Sequence, residues 1–191
     1  MDAANRHRRS IRLRGWDYTG AGAYFVTLVT HARATLFGDV VDGQMVLTEY
    51  GRIAAEEWVR TAEVRANVEM DEFVVMPNHV HGIIWIARRA DGARQRLEDG
   101  ASRRLAPTGG GREITVAAGS LGAIVGGYKS VVARRINDLR GMAGAPVWQR
   151  NYYERIVRSE RELAAIRRYI RQNPANWAGD SENRTVDAGV A

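Results

Sequence analysis

The 191-residue chain contains no cysteine. That excludes disulfides and thiolate metal sites, and leaves histidine, carboxylate, amide and water as the available metal ligands. Lysine is nearly absent too: Lys129 stands alone, and every other cationic side chain of this kind is arginine. Either codon usage in a GC-rich genome produces this bias, or position 129 needs a compact ammonium rather than a guanidinium fork. No apolar run approaches the ~20 residues of a membrane span. The basic opening MDAANRHRRSIRLRG is followed by no apolar core of a secretory signal. No Walker-type glycine loop is present to hold a nucleoside triphosphate. These absences predict a soluble, cytoplasmic protein with no membrane partner.

What the chain does have is positive charge, a formal +6 at neutral pH. A polyanionic partner is expected, nucleic acid before membrane surface. The length suits one domain with a sizeable core. Residues 1–15 read as a basic arm, 16–177 as a single domain and 178–191 as a loose polar tail.

Within the domain, Tyr24 to Thr30 is β-branched and aromatic and predicts a strand. Asp42-Gly43 between apolar runs predicts a hairpin with a type I′ turn. Thr48 caps an expected helix reaching about Ala66, with Ile53, Ala54, Trp58 and Ala62 at helical spacing. Glu72 to Met76 and His79 to Ala87 predict two antiparallel strands punctuated by Pro77 and Asn78. Arg88 to Arg112, rich in Arg, Gly and Ala without apolar period, predicts a flexible insertion. Ser120 opens a helix with the stripe Leu121, Ile124, Val125, Tyr128, Val132 and Ile136, ended by Gly141. WQRNYYERIVR predicts a loop and a short extended segment. Ser159 and Glu162 form a capping box for a last helix through Leu163, Ile166, Tyr169 and Ile170, stopped by Pro174. The order predicts an α+β fold, a central antiparallel sheet with packed helices.

Two of the chain's four histidines are His79 and His81. On a strand they share a face while Val80 points away. Paired imidazoles on one face either hold a metal or remain half-exposed and idle. Tyr169 and Asn173 share a helical face. Alone, they read as a tyrosine at the core's rim and a helix-end asparagine.

Taken together, MPNHVHGIIW, YKSVVARRIN and VWQRNYYERIVRSERELAAIRRYIRQNPANW resemble the single-tyrosine transposases with a His-hydrophobic-His strand, above all the REP-associated tyrosine transposases. RRSIRLRGWDYTGAGAYFVTLVT and LFGDVVDGQMVL carry the resemblance further, over roughly residues 8 to 177. The resemblance implies that His79, His81 and Asn173 bind a metal and that Tyr169 is the nucleophile. Some relatives carry glutamine where Asn173 stands, so the shorter amide leaves more coordination to water. It also implies a ferredoxin-like sheet with the tyrosine helix beside it.

The implied reaction is nicking and strand transfer of single-stranded or hairpin DNA through a 5′-phosphotyrosine, leaving a free 3′-OH. Mg²⁺ or Mn²⁺ would serve, the latter tolerating two nitrogen ligands better. Exchange of one phosphodiester for another needs no ATP. Trp148, Arg150, Tyr152 and Arg155, with Lys129, are candidate DNA contacts, although Trp148 and one of the tyrosines equally suit the core. Two rival readings are a non-catalytic nucleic-acid-binding protein on the same fold and a replication or relaxase-type nickase. Relatives include monomers and homodimers.

Overall fold

The computed structural model describes residues 21–87 and 119–183. The basic arm and the insertion from Arg88 to Arg112 lie outside the described residues.

Strand β1 (Gly22–Val29) leads through a short turn at His31–Arg33 into the hairpin β2 (Gly38–Val41) and β3 (Gln44–Leu47). Asp42 and Gly43 both have positive φ, 50° and 73°, as a type I′ turn requires. Helix α1 (Glu49–Glu63) follows, its first turn capped by the Thr48 hydroxyl, which accepts from the Gly51 N–H. Strands β4 (Val68–Met76) and β5 (His79–Ile86) form the next hairpin. Helix α2 (Leu121–Arg140) starts at Ser120, whose hydroxyl accepts from Ala123 N–H, and stops at Gly141 in the left-handed conformation. Strand β6 (Tyr153–Val157) and helix α3 (Glu160–Gln172) complete the domain, followed by a 3₁₀ turn at Pro174–Gly179.

The main sheet has the order β4-β5-β1-β6, and every neighbouring pair is antiparallel. Its two faces are covered differently. On one, Tyr24, Val26, Leu28, Val80, Ile84 and Ile86 pack with Trp58 of α1 and the predicted stripe of α2 into the larger core. On the other, Ala23, Phe25 and Ile83 pack against Leu163, Ile166 and Ile170 of α3. Burial of each such aliphatic side chain contributes about 1.5–3 kcal/mol relative to exposure. The fold is therefore α+β, with an antiparallel sheet between two helical layers.

Strand β4 begins at Val68, earlier than the sequence suggests, because the acids in VEMDEF break the alternation. The register shifts between Met70 and Phe73, a bulge that frees Asp71 and Glu72 to meet α3. Arg167 reaches both Asp71 oxygens, with Nε donating at 3.0 Å, and Trp85 Nε1 donates to the same carboxylate at 2.8 Å. Burial raises the Asp71 pKa, but these bonds and the Glu72 N–H outweigh it and hold the carboxyl at about 2. Arg171 pairs with Glu72 one turn further on. The helix carrying Tyr169 is thus fixed to the sheet by a small apolar patch and two ion pairs.

Two details differ from expectation. Glu162 closes the α3 cap on the Arg158 N–H at 2.9 Å, one residue before the capping-box position. Residues 180–183, expected in a loose tail, are held against the sheet: Asn78 Nδ2 donates to Glu182 O at 2.8 Å, and Arg33 pairs with the Glu182 carboxylate. The 3₁₀ turn after Pro174 folds the chain back instead of releasing it.

Gly82 sits next to His81 because Trp58 of α1 lies directly over it, and a Cβ there would overlap the indole. Gly82→Ala is expected to destabilise the protein by about 1–3 kcal/mol through overpacking. Urea unfolding checks this, and an unchanged midpoint would contradict the close approach.

Candidate active site

His79 and His81 are both buried on the α3 face of β5, while Val80 enters the core on the other face. Strand alternation alone produces this. Their ring centroids are 4.4 Å apart.

The surrounding hydrogen bonds fix the His79 tautomer. Asn78 Nδ2 points at two carbonyls, of Arg33 at 3.4 Å and Glu182 at 2.8 Å, so its Oδ1 faces His79 Nδ1 at 2.8 Å. Nδ1 therefore carries the proton and donates. Nε2 is left as a lone pair, and it is buried without a partner. On His81, Nδ1 lies 2.9 Å from Thr27 Oγ1 and Nε2 lies 3.1 Å from the Tyr169 hydroxyl.

Asn173 ends α3 and Asp180 follows the 3₁₀ turn. Asn173 Nδ2 donates to Asp180 Oδ2 at 3.2 Å, which turns its Oδ1 the other way. That oxygen is also buried and unpaired, and the Asn173 side chain lies near enough to affect the pKa of both His79 and Tyr169. One ligand atom from each of His79, His81 and Asp180 falls within 4.8 Å of the others. An imidazole lone pair and an amide oxygen, both buried and both lacking a donor, beside a carboxylate, fit a divalent cation. Asp180 has no signal in the sequence: it lies in a polar stretch and reaches the histidines only because the chain turns back. Asn78 reads there as turn punctuation, yet it orients His79 as an outer-shell partner orients a metal ligand.

Tyr169 is 46% exposed, at the mouth of a cleft of about 680 Å³. Phe25, Thr27, Arg33, His81, Arg150 and Tyr153 line the same cleft. Its ring meets Phe25 edge-on at 6.1 Å and His81 at 5.2 Å. Burial chiefly, with Asp180 adding, raises its pKa, and Asn173 opposes them, so the hydroxyl stays protonated at neutral pH.

The other sequence candidates are spread out. Arg150 and Tyr152 line the cleft. Arg155 is exposed and pairs with Glu162 at 2.6 Å. Trp148 packs against Phe37 and Tyr128 and donates from Nε1 to Lys129 O at 3.1 Å. Lys129 Nζ donates to Gln149 O at 2.5 Å and to Arg150 O at 3.4 Å, so its ammonium anchors the loop forming the cleft wall. Burial lowers its pKa to about 8. Tyr153, opposite Thr27 in the β1–β6 register, shares the histidines' face.

Burial above all, with Arg33 adding and Asp180 and Asn173 opposing, lowers the His79 pKa to about 4. His81 is pushed well below its usual value by burial and by His79. Both rings are neutral at pH 7, the form that binds metal. Above the unfolded value of about 6.5, neither state is protonated at these positions. As pH falls below that, the unfolded chain takes up protons that the native state refuses down to about 4. Metal-free stability is therefore expected to be full above pH 6.5 and to fall toward pH 4, by about 3 kcal/mol from His79 alone. Urea midpoints across that window test this, and a flat profile down to pH 4.5 would contradict it.

No helix among the described residues is long and apolar enough to cross a membrane. No family model matches the sequence. A solved REP-associated tyrosine transposase bound to a REP hairpin shares the fold, with TM-score 0.51 and 16% identity, covering 88% of this chain and 74% of that one. An uncharacterized protein of Haemophilus influenzae is 35% identical over 182 residues, 94% of each chain. At that identity and coverage, the chain belongs to the same family as this Haemophilus influenzae protein.

Proposed function

We propose that the protein is a metal-dependent, transposase-type enzyme that nicks and rejoins single-stranded or hairpin DNA through a covalent link to Tyr169. The observation that carries this reading is the Tyr169 hydroxyl, 3.1 Å from His81 Nε2 and open to a cleft beside the His79, His81 and Asp180 cluster. A structural tyrosine has no need to meet a buried histidine pair at a cleft mouth. The strand–helix–hairpin–helix–strand order around a β4-β5-β1-β6 sheet supports a ferredoxin-like description of the domain. The likeness to a hairpin-bound transposase supports hairpin DNA as partner.

His79, His81, Asp180 and Asn173 would hold the cation, Mn²⁺ or Mg²⁺, which supplies Lewis-acid polarisation of the phosphodiester. Asn78 and Thr27 hold the imidazoles by their Nδ1 atoms. Phe25 and His81 fix the Tyr169 ring at the cleft mouth. Tyr169 Oη bonds phosphorus and the P–O3′ bond breaks. The hydroxyl loses its proton and the leaving 3′-oxygen takes one up. Reversal on a second 3′-OH rejoins the strand. Arg150 and Tyr152, together with Tyr153, would guide the strand along the cleft, phosphates to the cation and bases to the rings.

The test is to incubate the protein with labelled single-stranded and hairpin oligonucleotides, with and without Mn²⁺, and to look for a species surviving denaturation. A cation-dependent adduct mapping to Tyr169 is expected. DNA binding without any adduct would instead identify a non-catalytic nucleic-acid-binding protein.

A further inference from the structure

Arg33 occupies a turn with an unusual backbone. Ala32 and Arg33 have φ of 53° and 56°, the left-handed region that non-glycine residues avoid. Two such residues in succession persist only where their surroundings hold them. Here the His31 N–H donates to Val147 O at 2.8 Å, and Thr30 Oγ1 donates to Ala34 O at 2.8 Å and Asn78 O at 3.0 Å. The Arg33 carbonyl itself accepts from Asn78 Nδ2, the amide that also fixes His79. The turn is thus fastened to the histidine pair, and the Arg33 side chain lines the cleft that Tyr169 opens into.

That side chain is only 12% exposed and pairs with the Glu182 carboxylate, itself on the cleft wall. A guanidinium largely removed from water acts on an oxyanion more strongly than exposed Arg150 does. The planar donors that fit a carboxylate fit a phosphate as well. We propose that Arg33 is a substrate-binding residue, its guanidinium taking a non-bridging oxygen of the DNA phosphodiester presented to Tyr169. The Glu182 carboxylate marks the place of that oxyanion. This rests on the proposed function, and it adds a phosphate ligand that lies outside the histidine strand and the tyrosine helix. The bland alternative is an ion pair that only anchors residues 180–183.

The test compares the wild type, Glu182→Gln and the double variant Arg33→Gln/Glu182→Gln. The double exchange removes both charges together and orphans neither. Thermal unfolding and Mn²⁺ titration verify the fold and the cation site. Relative to Glu182→Gln, the double variant is expected to bind single-stranded DNA at least ~10-fold more weakly and to form adduct ~10-fold more slowly. Its log Kd against log salt should be shallower by about 0.7, the value of one lost phosphate contact on a single strand. Equal affinity, salt slope and adduct rate in the two variants would overturn the assignment. Should the double variant not fold, Arg33→Lys decides: an anchoring role leaves its DNA affinity unchanged, whereas loss of the two-pronged contact weakens it. A wild-type protein that forms no adduct at all overturns the proposed function and this assignment with it; an adduct in the wild type with indifferent Arg33 variants overturns this assignment alone.

Discussion

Tyr169→Phe is expected to form no covalent DNA adduct and to cut single-stranded DNA at least ~10³-fold more slowly, about 4 kcal/mol in the barrier. Affinity for DNA and Mn²⁺ should stay near that of the wild type. Phenylalanine keeps the ring contacts with Phe25 and His81 and loses only the hydroxyl. Because Tyr169 is half exposed, the lost hydrogen bond to His81 costs at most about 1 kcal/mol of stability. The competing tyrosines differ in kind. Tyr128 is buried and donates to Ala54 O at 3.0 Å, and burial raises its pKa far above the ordinary value. Tyr152 packs against the larger core. Tyr153 is the serious rival, since it is 38% exposed and faces the same cleft. Tyr153→Phe is therefore the control, expected to keep adduct formation within ~10-fold of the wild type. A denaturing gel of each variant with labelled substrate decides. An adduct in Tyr169→Phe but none in Tyr153→Phe would move the nucleophile to β6.

The elements of this fold are legible wherever one periodicity dominates. YFVTLVT, HVHGIIWI and the α2 stripe each follow a single burial pattern, and their strands and helix fall close to where the pattern puts them. Alternation on β5 also suffices to put His79 and His81 on one face and Val80 on the other. The reading weakens where a bulge interrupts the pattern, as at Asp71 and Glu72 on β4. It fails where proximity depends on how the chain returns. Asp180 reaches the histidines, and Glu182 reaches Asn78 and Arg33, by the turn after Pro174, and no local spacing encodes that return. Arg33 is likewise one arginine among many until the left-handed turn directs it into the cleft. Lys129 shows the intermediate case: its uniqueness is visible in the sequence, but its task of holding the Gln149 and Arg150 carbonyls is not.

The cation is the other large effect. His79→Ala is expected to remove Mn²⁺ binding at this site and to lower cation-dependent adduct formation by at least ~10³-fold. Among the donors, His79 is the one whose tautomer is fixed by its neighbours and whose remaining nitrogen is buried without a partner. A cation there would satisfy both Nε2 and the unpaired Asn173 oxygen. In the wild type, saturating Mn²⁺ should therefore raise the thermal midpoint by linkage, and in the variant it should not. Alanine also strips the donor from Asn78 Oδ1 and the ring contact with Trp177, so the metal-free variant should lose about 1–3 kcal/mol. That loss complicates an activity measurement, and Asp180→Asn resolves it. The exchange removes the negative charge and keeps an oxygen for the Glu182 N–H, but it puts an amide NH2 where the other carboxylate oxygen accepts from the Asn173 amide. Stability should then fall by about 1 kcal/mol for that one lost bond, while Mn²⁺ affinity falls by about 10–100-fold, the range seen when a metal site loses a supporting group. Calorimetric titration of the two variants with Mn²⁺ separates the cases. Undiminished Mn²⁺ binding in a folded His79→Ala protein would place the cation elsewhere and leave the buried histidine pair without a function.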